Sequence, residues 1–107
     1  MKDELSEDQG FTQKIEHILE VNLEDENFGV SNLASEIGLS RSQLYRKLQD
    51  ATGKSTSQFI REYRLKRAME MLKKNQFTAT EIEYRVGFSI PTYFNTFFHN
   101  FFVYLVY

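Results

Sequence analysis

Residues 33–48 read LASEIGLSRSQLYRKL, and this stretch decides how the chain folds. Apolar residues at helical spacing predict a short helix over residues 30–37. Gly38 follows at once and supplies the left-handed residue with which helices commonly end. Ser40 and Gln43 have the spacing of a capping box, which starts another helix after a turn of about three residues. Two helices joined by a tight glycine turn are therefore predicted.

Further helices are predicted on both sides of this stretch. An amphipathic pattern indicates a helix over about residues 11–23, which the acidic, glycine-containing stretch 24–29 ends. A long helix is predicted over about residues 57–74, with an apolar stripe on one face and basic residues on the others. Thr78 and Glu81 form a second capping box, which opens another short helix.

The short helix, its glycine and the next helix recur later in the chain. The pattern that begins at Leu33 as L-x-x-x-I-G returns 49 positions later, at Ile82, as I-x-x-x-V-G. The apolar pair that begins at Leu44 returns 50 positions later, at Phe94, where a last helix is predicted. Two such copies indicate an all-α fold in which two helix-turn-helix units are joined by one long linker helix.

Composition excludes several function classes. The 107 residues include no cysteine, which removes disulfides, thiolate metal sites and a thiol nucleophile. His17 and His99 lie far apart, and no nucleophile–base pair or glycine-rich phosphate loop is present. The chain is therefore predicted to be no enzyme and to hold no metal, cofactor or small-molecule ligand. No apolar run approaches the roughly 20 residues that span a bilayer, so a cytoplasmic location is predicted.

Charge is divided unevenly along the chain, although the net charge is only −2. Residues 1–29 hold nine acidic and two basic residues, whereas residues 41–74 hold three acidic and ten basic ones. Residues 75–107 hold two acids and one base. A strongly basic middle suggests an anionic partner, although a solvated helix face gives the same pattern.

A helix-turn-helix reads double-stranded DNA by placing its second helix in the major groove. In the first unit the outward residues of that helix are Arg41, Ser42, Tyr45, Arg46 and, further round, Lys47. Arginine can donate two hydrogen bonds to guanine, and tyrosine can touch a thymine methyl group or a phosphate. On the linker helix, Arg64 and Arg67 are predicted to meet phosphate.

Three motifs resemble the DNA-binding domain of the AraC family of transcription regulators. They are LA-x-x-x-G-x-S, R-L-x-x-A and I-x-x-x-V-G-F-x-x-x-x-Y-F, and the resemblance covers about residues 11–102. It implies homeodomain-like three-helix subdomains, with helix-turn-helix units at about 28–53 and 78–102 and the linker helix at about 57–74. Residues 1–10 are then a linker or disordered terminus, and residues 103–107 an atypical aromatic tail.

The resemblance also implies which residues contact DNA. In the first unit it places base contacts on Ser42, Tyr45 and Arg46. In the second unit the corresponding positions are Pro91, Thr92, Asn95 and Thr96, with His99 toward the DNA backbone. This second set departs from the family, which usually has arginine where Thr96 stands and lysine where His99 stands. The final FHNFFVYLVY also lacks the family's glycine and proline. It is interpreted first as a truncated or altered reading frame and second as a dimerisation surface.

The stretch SRSQLYRKL resembles the output domain at the C-terminus of hybrid two-component sensors, which implies a larger parent protein. Membrane tethering of that parent, homodimerisation through it and a contact with RNA polymerase are left open. The main alternative is a degenerate helix-turn-helix module used for protein–protein interaction. RNA is disfavoured, since no exposed sheet carries stacking aromatic residues.

Overall fold

The computed structural model describes residues 6–87, and all regular secondary structure within them is helical. The helices are α1 (Glu7–Val21), α2 (Val30–Ile37), α3 (Arg41–Thr52), α4 (Thr56–Lys74) and α5 (Ala79–Arg85). The all-α prediction is thus confirmed. The helix predicted near residue 94 lies outside the described residues. No helix within residues 6–87 is both long enough and apolar enough to cross a membrane.

Both predicted capping boxes are present. At the start of α3 the Gln43 N–H donates to Ser40 Oγ at 3.1 Å, and the Ser40 N–H donates to Gln43 Oε1 at 2.9 Å. At the start of α5 the Glu81 N–H donates to Thr78 Oγ1 at 3.2 Å, and the Thr78 N–H donates to Glu81 Oε1 at 2.8 Å. Each box satisfies two backbone donors that the helix itself leaves without partners.

Helix α1 differs from the sequence prediction at both ends. It begins at Glu7, so residues 7–10, predicted as linker or disordered terminus, are helical. The cause is a third capping box, in which Ser6 and Gln9 exchange two hydrogen bonds of 3.0 Å. At the other end the Asn22 side chain donates to the Ile18 carbonyl at 2.8 Å, and the helix stops at Val21.

The first of two compact units contains described residues 6–22 and 28–60. Helices α1, α2 and α3 pack against one another in pairs. They enclose an apolar core, and the start of α4 also contributes to it. The buried residues of this core are Ile15, Leu19, Phe28, Leu33, Ala34, Leu44, Leu48, Phe59 and Ile60. This arrangement is a three-helix subdomain of the kind that the family resemblance implies.

The second unit contains residues 23–27, the rest of α4 and α5. Its core is formed by Leu23, Ala68, Ile82 and Val86, and four partly buried residues pack around it, namely Tyr63, Met71, Leu72 and Phe77. The loop 23–27 connects α1 to α2 in the sequence, yet it belongs to this second unit. That assignment is not predictable from residue periodicity.

Candidate nucleic-acid interface

The turn between α2 and α3 has the length that a helix-turn-helix needs. It consists of Gly38, Leu39 and Ser40, and Gly38 is left-handed with φ +79°. The Gly38 N–H donates to the Ser35 carbonyl at 3.2 Å, and the Leu39 N–H donates to the Ala34 carbonyl at 3.0 Å. These bonds end α2 within one turn, so α3 starts directly after it.

Helix α3 separates an apolar face from a polar one. Leu44 and Leu48 are completely buried in the first unit. The opposite face is exposed, and its residues follow the i, i+3, i+4, i+7 spacing of one helix face: Ser42, Tyr45, Arg46 and Gln49. Sequence analysis missed Gln49, although this spacing identifies it. Glutamine can donate to and accept from adenine in the major groove.

The electrostatics at the start of α3 favour an anion. The exposed Arg41 occupies the first helical position, and the first turn contains no acidic residue. A cation there is unfavourable for an isolated helix, because the helix dipole already makes that end positive. The dipole and Arg41 therefore act together on any phosphate that approaches this end of the helix.

An open groove runs beside the exposed face of α3 in the first unit. Its walls come from three helix starts and the segment before α4, and its lining residues are Val30, Arg41, Ser42, Tyr45, Ser55, Thr56 and Ser57. The Ser55–Ser57 segment was not among the predicted site residues, although the start of a helix next to a basic run is a signal for it. Hydroxyl groups and free helix N–H groups are common donors to DNA phosphate.

Lys47 lies on the other flank of α3. The residue is exposed, and its Nζ lies 4.8 Å from the centroid of the Phe11 ring on α1. This is cation–π distance, so the ammonium group stabilises the packing of α1 against α3. Lys47 therefore does not line the groove that contains Arg41, Ser42 and Tyr45.

Arg64 is enclosed in the second unit. The residue is 7% exposed, and its guanidinium donates to the backbone carbonyls of Leu23, Asp25 and Val86. Burial lowers the pKa of Arg64 from its ordinary value, and the charge of Asp25 opposes that shift. Because this guanidinium is enclosed and already bonded to carbonyls, the structure does not support the predicted contact of Arg64 with phosphate.

Two other cations of the second unit, Arg67 and Arg85, are partly engaged. Arg67 is 23% exposed and forms an ion pair with Glu70 at 2.7 Å, which a phosphate would have to displace. The Arg85 guanidinium lies 4.2 Å from the centroid of the Phe77 ring. The predicted contacts of the second reading helix, Thr92, Asn95, Thr96 and His99, lie outside the described residues.

Comparison with known families agrees with this geometry. The family model described as a helix-turn-helix domain matches residues 33–105. The chain belongs to the AraC-type helix-turn-helix family. The match spans the turn at Gly38, all of α3 and the linker helix α4. This AraC-type chain is thus a DNA-binding transcription-regulator domain, and that domain family is not enzymatic.

Three relatives illustrate the contexts in which AraC-type domains occur. A protein named histidine kinase P4 from Formosa agariphila is 38% identical over 88 residues, which are 82% of this chain and 6% of that protein. The transcriptional activator RhaS from Shigella boydii is 34% identical over 63% of this chain and 24% of its own length. The Msm operon regulatory protein from Streptococcus mutans is 34% identical over 68% of this chain and 26% of its own length. No solved structure matches significantly.

Proposed function

We propose that this domain binds DNA sequence-specifically by placing α3 in the major groove. The observation that carries the proposal is the exposed face of α3, where Ser42, Tyr45, Arg46 and Gln49 stand opposite two completely buried leucines. A helix held this firmly on one side presents the other side at a defined angle. Arg46 is assigned to guanine and Gln49 to adenine, since each can form two hydrogen bonds to that base.

Phosphate contacts are assigned to the groove beside this face. Arg41 supplies the charge, and Ser55 and Ser57 supply hydroxyl donors at the start of α4. Contacts of this kind fix the register of the protein on the duplex, while the base contacts specify the sequence. Loss of a groove residue should therefore weaken binding to all sequences to a similar degree.

Arg46→Ala tests the assignment of α3. Duplexes selected from a random pool supply the preferred site, and fluorescence anisotropy compares that site with a scrambled one. Loss of one bidentate base contact should cost about 1–3 kcal/mol on the preferred site and relax discrimination at one base pair. Lys47→Ala is the matched control, because it removes a cation from the same helix but from the flank that faces Phe11. It should leave discrimination unchanged.

Two results would contradict the assignment. Equal discrimination by Arg46→Ala and Lys47→Ala would show that this face of α3 does not read bases. Binding that hardly changes with salt would favour the protein–protein alternative, because contacts with DNA phosphate release counterions and weaken steeply as salt rises.

We further propose that the domain is the output domain of a larger signalling protein. The support is the histidine kinase relative, which matches 82% of this chain yet extends far beyond it. The full-length gene product tests this: its DNA affinity should change when ATP and the phosphorylation machinery of a two-component system are supplied. A gene that encodes neither a kinase nor a receiver segment next to this domain would contradict the proposal.

A further inference from the structure

The three carbonyls that Arg64 binds come from two distant parts of the chain. Its Nη1 donates to the Leu23 carbonyl at 2.6 Å and to the Val86 carbonyl at 2.5 Å, and its Nη2 donates to the Asp25 carbonyl at 3.0 Å. Leu23 and Asp25 belong to the loop between α1 and α2, whereas Val86 is the C-cap residue that directly follows α5. One guanidinium on α4 thus joins three segments of the second unit.

The turn after α5 is shaped around this guanidinium. Gly87 is buried and left-handed, with φ +78°. A Cβ atom at Gly87 would overlap the Arg64 guanidinium and the Leu23 carbonyl oxygen. Because one of the two obstacles is backbone, side-chain rotation alone would not relieve the overlap. Gly87 is therefore required both by its backbone angle and by the place of Arg64.

Only arginine among the basic residues suits this site. Its planar fork presents five N–H donors in fixed directions, so it can bind several carbonyls at once. A lysine ammonium is a compact point charge and is more strongly hydrated, which makes its burial less favourable. The side chains of Leu23 and Val86 also lie in the core of the same unit, so polar and apolar contacts act on the same two segments.

We propose that Arg64 is a positioning residue for the second DNA-reading half of the domain. By fastening the end of α5 to the loop 23–27, it sets the Val86–Gly87 turn from which the chain continues toward the predicted second reading helix. The loop 23–27 is then a structural part of the second half. This inference rests on the proposed DNA-binding function, because it concerns how well the second half-site is read.

A pair of duplexes tests the proposal on the full chain. One carries both selected half-sites, and the other has the second half-site scrambled; their affinity ratio measures the contribution of the second half. Arg64→Lys and Gly87→Ala should each lower that ratio by about tenfold, which is a typical effect of one wrong base pair. Neither variant removes a cation, so affinity and salt dependence on the scrambled duplex should stay the same.

The double variant separates one device from two independent effects. If Arg64 and Gly87 act through the same contact, Arg64→Lys combined with Gly87→Ala should lose no more than the worse single variant. Arg67→Lys is the matched control on α4 and should leave the ratio unchanged. Multiplying losses in the double variant, or an unchanged ratio in Arg64→Lys, would overturn the positioning role.

NMR without DNA keeps the test independent of binding and of variants that fail to fold. In the wild type the Nη protons of Arg64 should exchange slowly with water. In Arg64→Lys the backbone amide shifts should change in both 23–27 and 84–87. Fast exchange, or changes confined to α4 near residue 64, would overturn the inference. A wild type that binds both duplexes equally would overturn the two-site function and the positioning role with it, and slow Nη exchange would then show that the contact itself exists.

Discussion

Two glycines with nearly the same backbone angle allow the Arg64 contact to be measured by subtraction. Gly38 and Gly87 have φ +79° and +78°, so alanine at either position has the same backbone penalty. They differ in surroundings: a Cβ at Gly38 meets no atom within 4 Å, whereas a Cβ at Gly87 meets Arg64 and Leu23. The difference between Gly38→Ala and Gly87→Ala therefore isolates the cost of disturbing that contact.

The magnitudes follow from the two environments. A left-handed alanine costs about 1–2 kcal/mol, and the reduced freedom of the unfolded chain offsets about 0.4–1 kcal/mol of this. Gly38→Ala should thus cost about 0–1.6 kcal/mol. Gly87→Ala adds the disruption of a buried, hydrogen-bonded charge, for which losses of about 3–5 kcal/mol are typical. We expect the two costs to differ by about 3 kcal/mol or more.

The assay must follow the two units separately, because one midpoint need not describe both. Urea unfolding monitored by amide hydrogen exchange does so, with Leu44 and Leu48 reporting on the first unit and Ile82 and Val86 on the second. Gly38→Ala should affect the first pair slightly and Gly87→Ala the second pair strongly. Costs that agree within about 1 kcal/mol would refute the reasoning, since the Arg64 contact would then add little stability.

Three further predictions concern single sites. Thr56→Pro should raise the free energy of unfolding, measured in urea titrations, by about 0.5–1 kcal/mol. Proline suits the first helical position, and the buried Thr56 hydroxyl has no hydrogen-bond partner among the described residues. A loss of stability would contradict this. Hydrogen bonds with Thr78 lower the pKa of Glu81 below the ordinary glutamate value. The α5 cap should therefore be fully present above the pKa of Glu81 in the unfolded chain and be lost as pH falls through the lowered value. An NMR titration should give a lower midpoint in the folded chain than in urea, and equal midpoints would contradict this. Thr96→Arg should strengthen DNA binding and steepen the slope of log affinity against log salt concentration by about one unit, since one more cation would reach the DNA. No change in affinity or slope would argue against two-site binding.

The local elements of this domain could be predicted because their causes are local. The Ser40–Gln43 box and the Gly38 turn each act over three or four residues, so spacing alone located α2 and α3. The third box, at Ser6 and Gln9, has the same spacing, so α1 begins before residue 11, where its apolar pattern starts. The exposed face of α3 also followed from helical spacing, apart from the omission of Gln49 at its far end.

Sequence by itself thus determined the all-α class, the capped starts of α3 and α5, and the face of α3 that is assigned to DNA. Tertiary structure decided which basic residues remain exposed to a partner. Arg64 and Arg67 are three residues apart on one helix, yet only Arg64 is enclosed, because carbonyls 22, 39 and 41 positions away converge on its guanidinium. The Lys47 ammonium group on α3 also has a tertiary partner, the Phe11 ring on α1. A buried cation is stable only where such partners meet, and their meeting depends on how the chain packs rather than on local spacing.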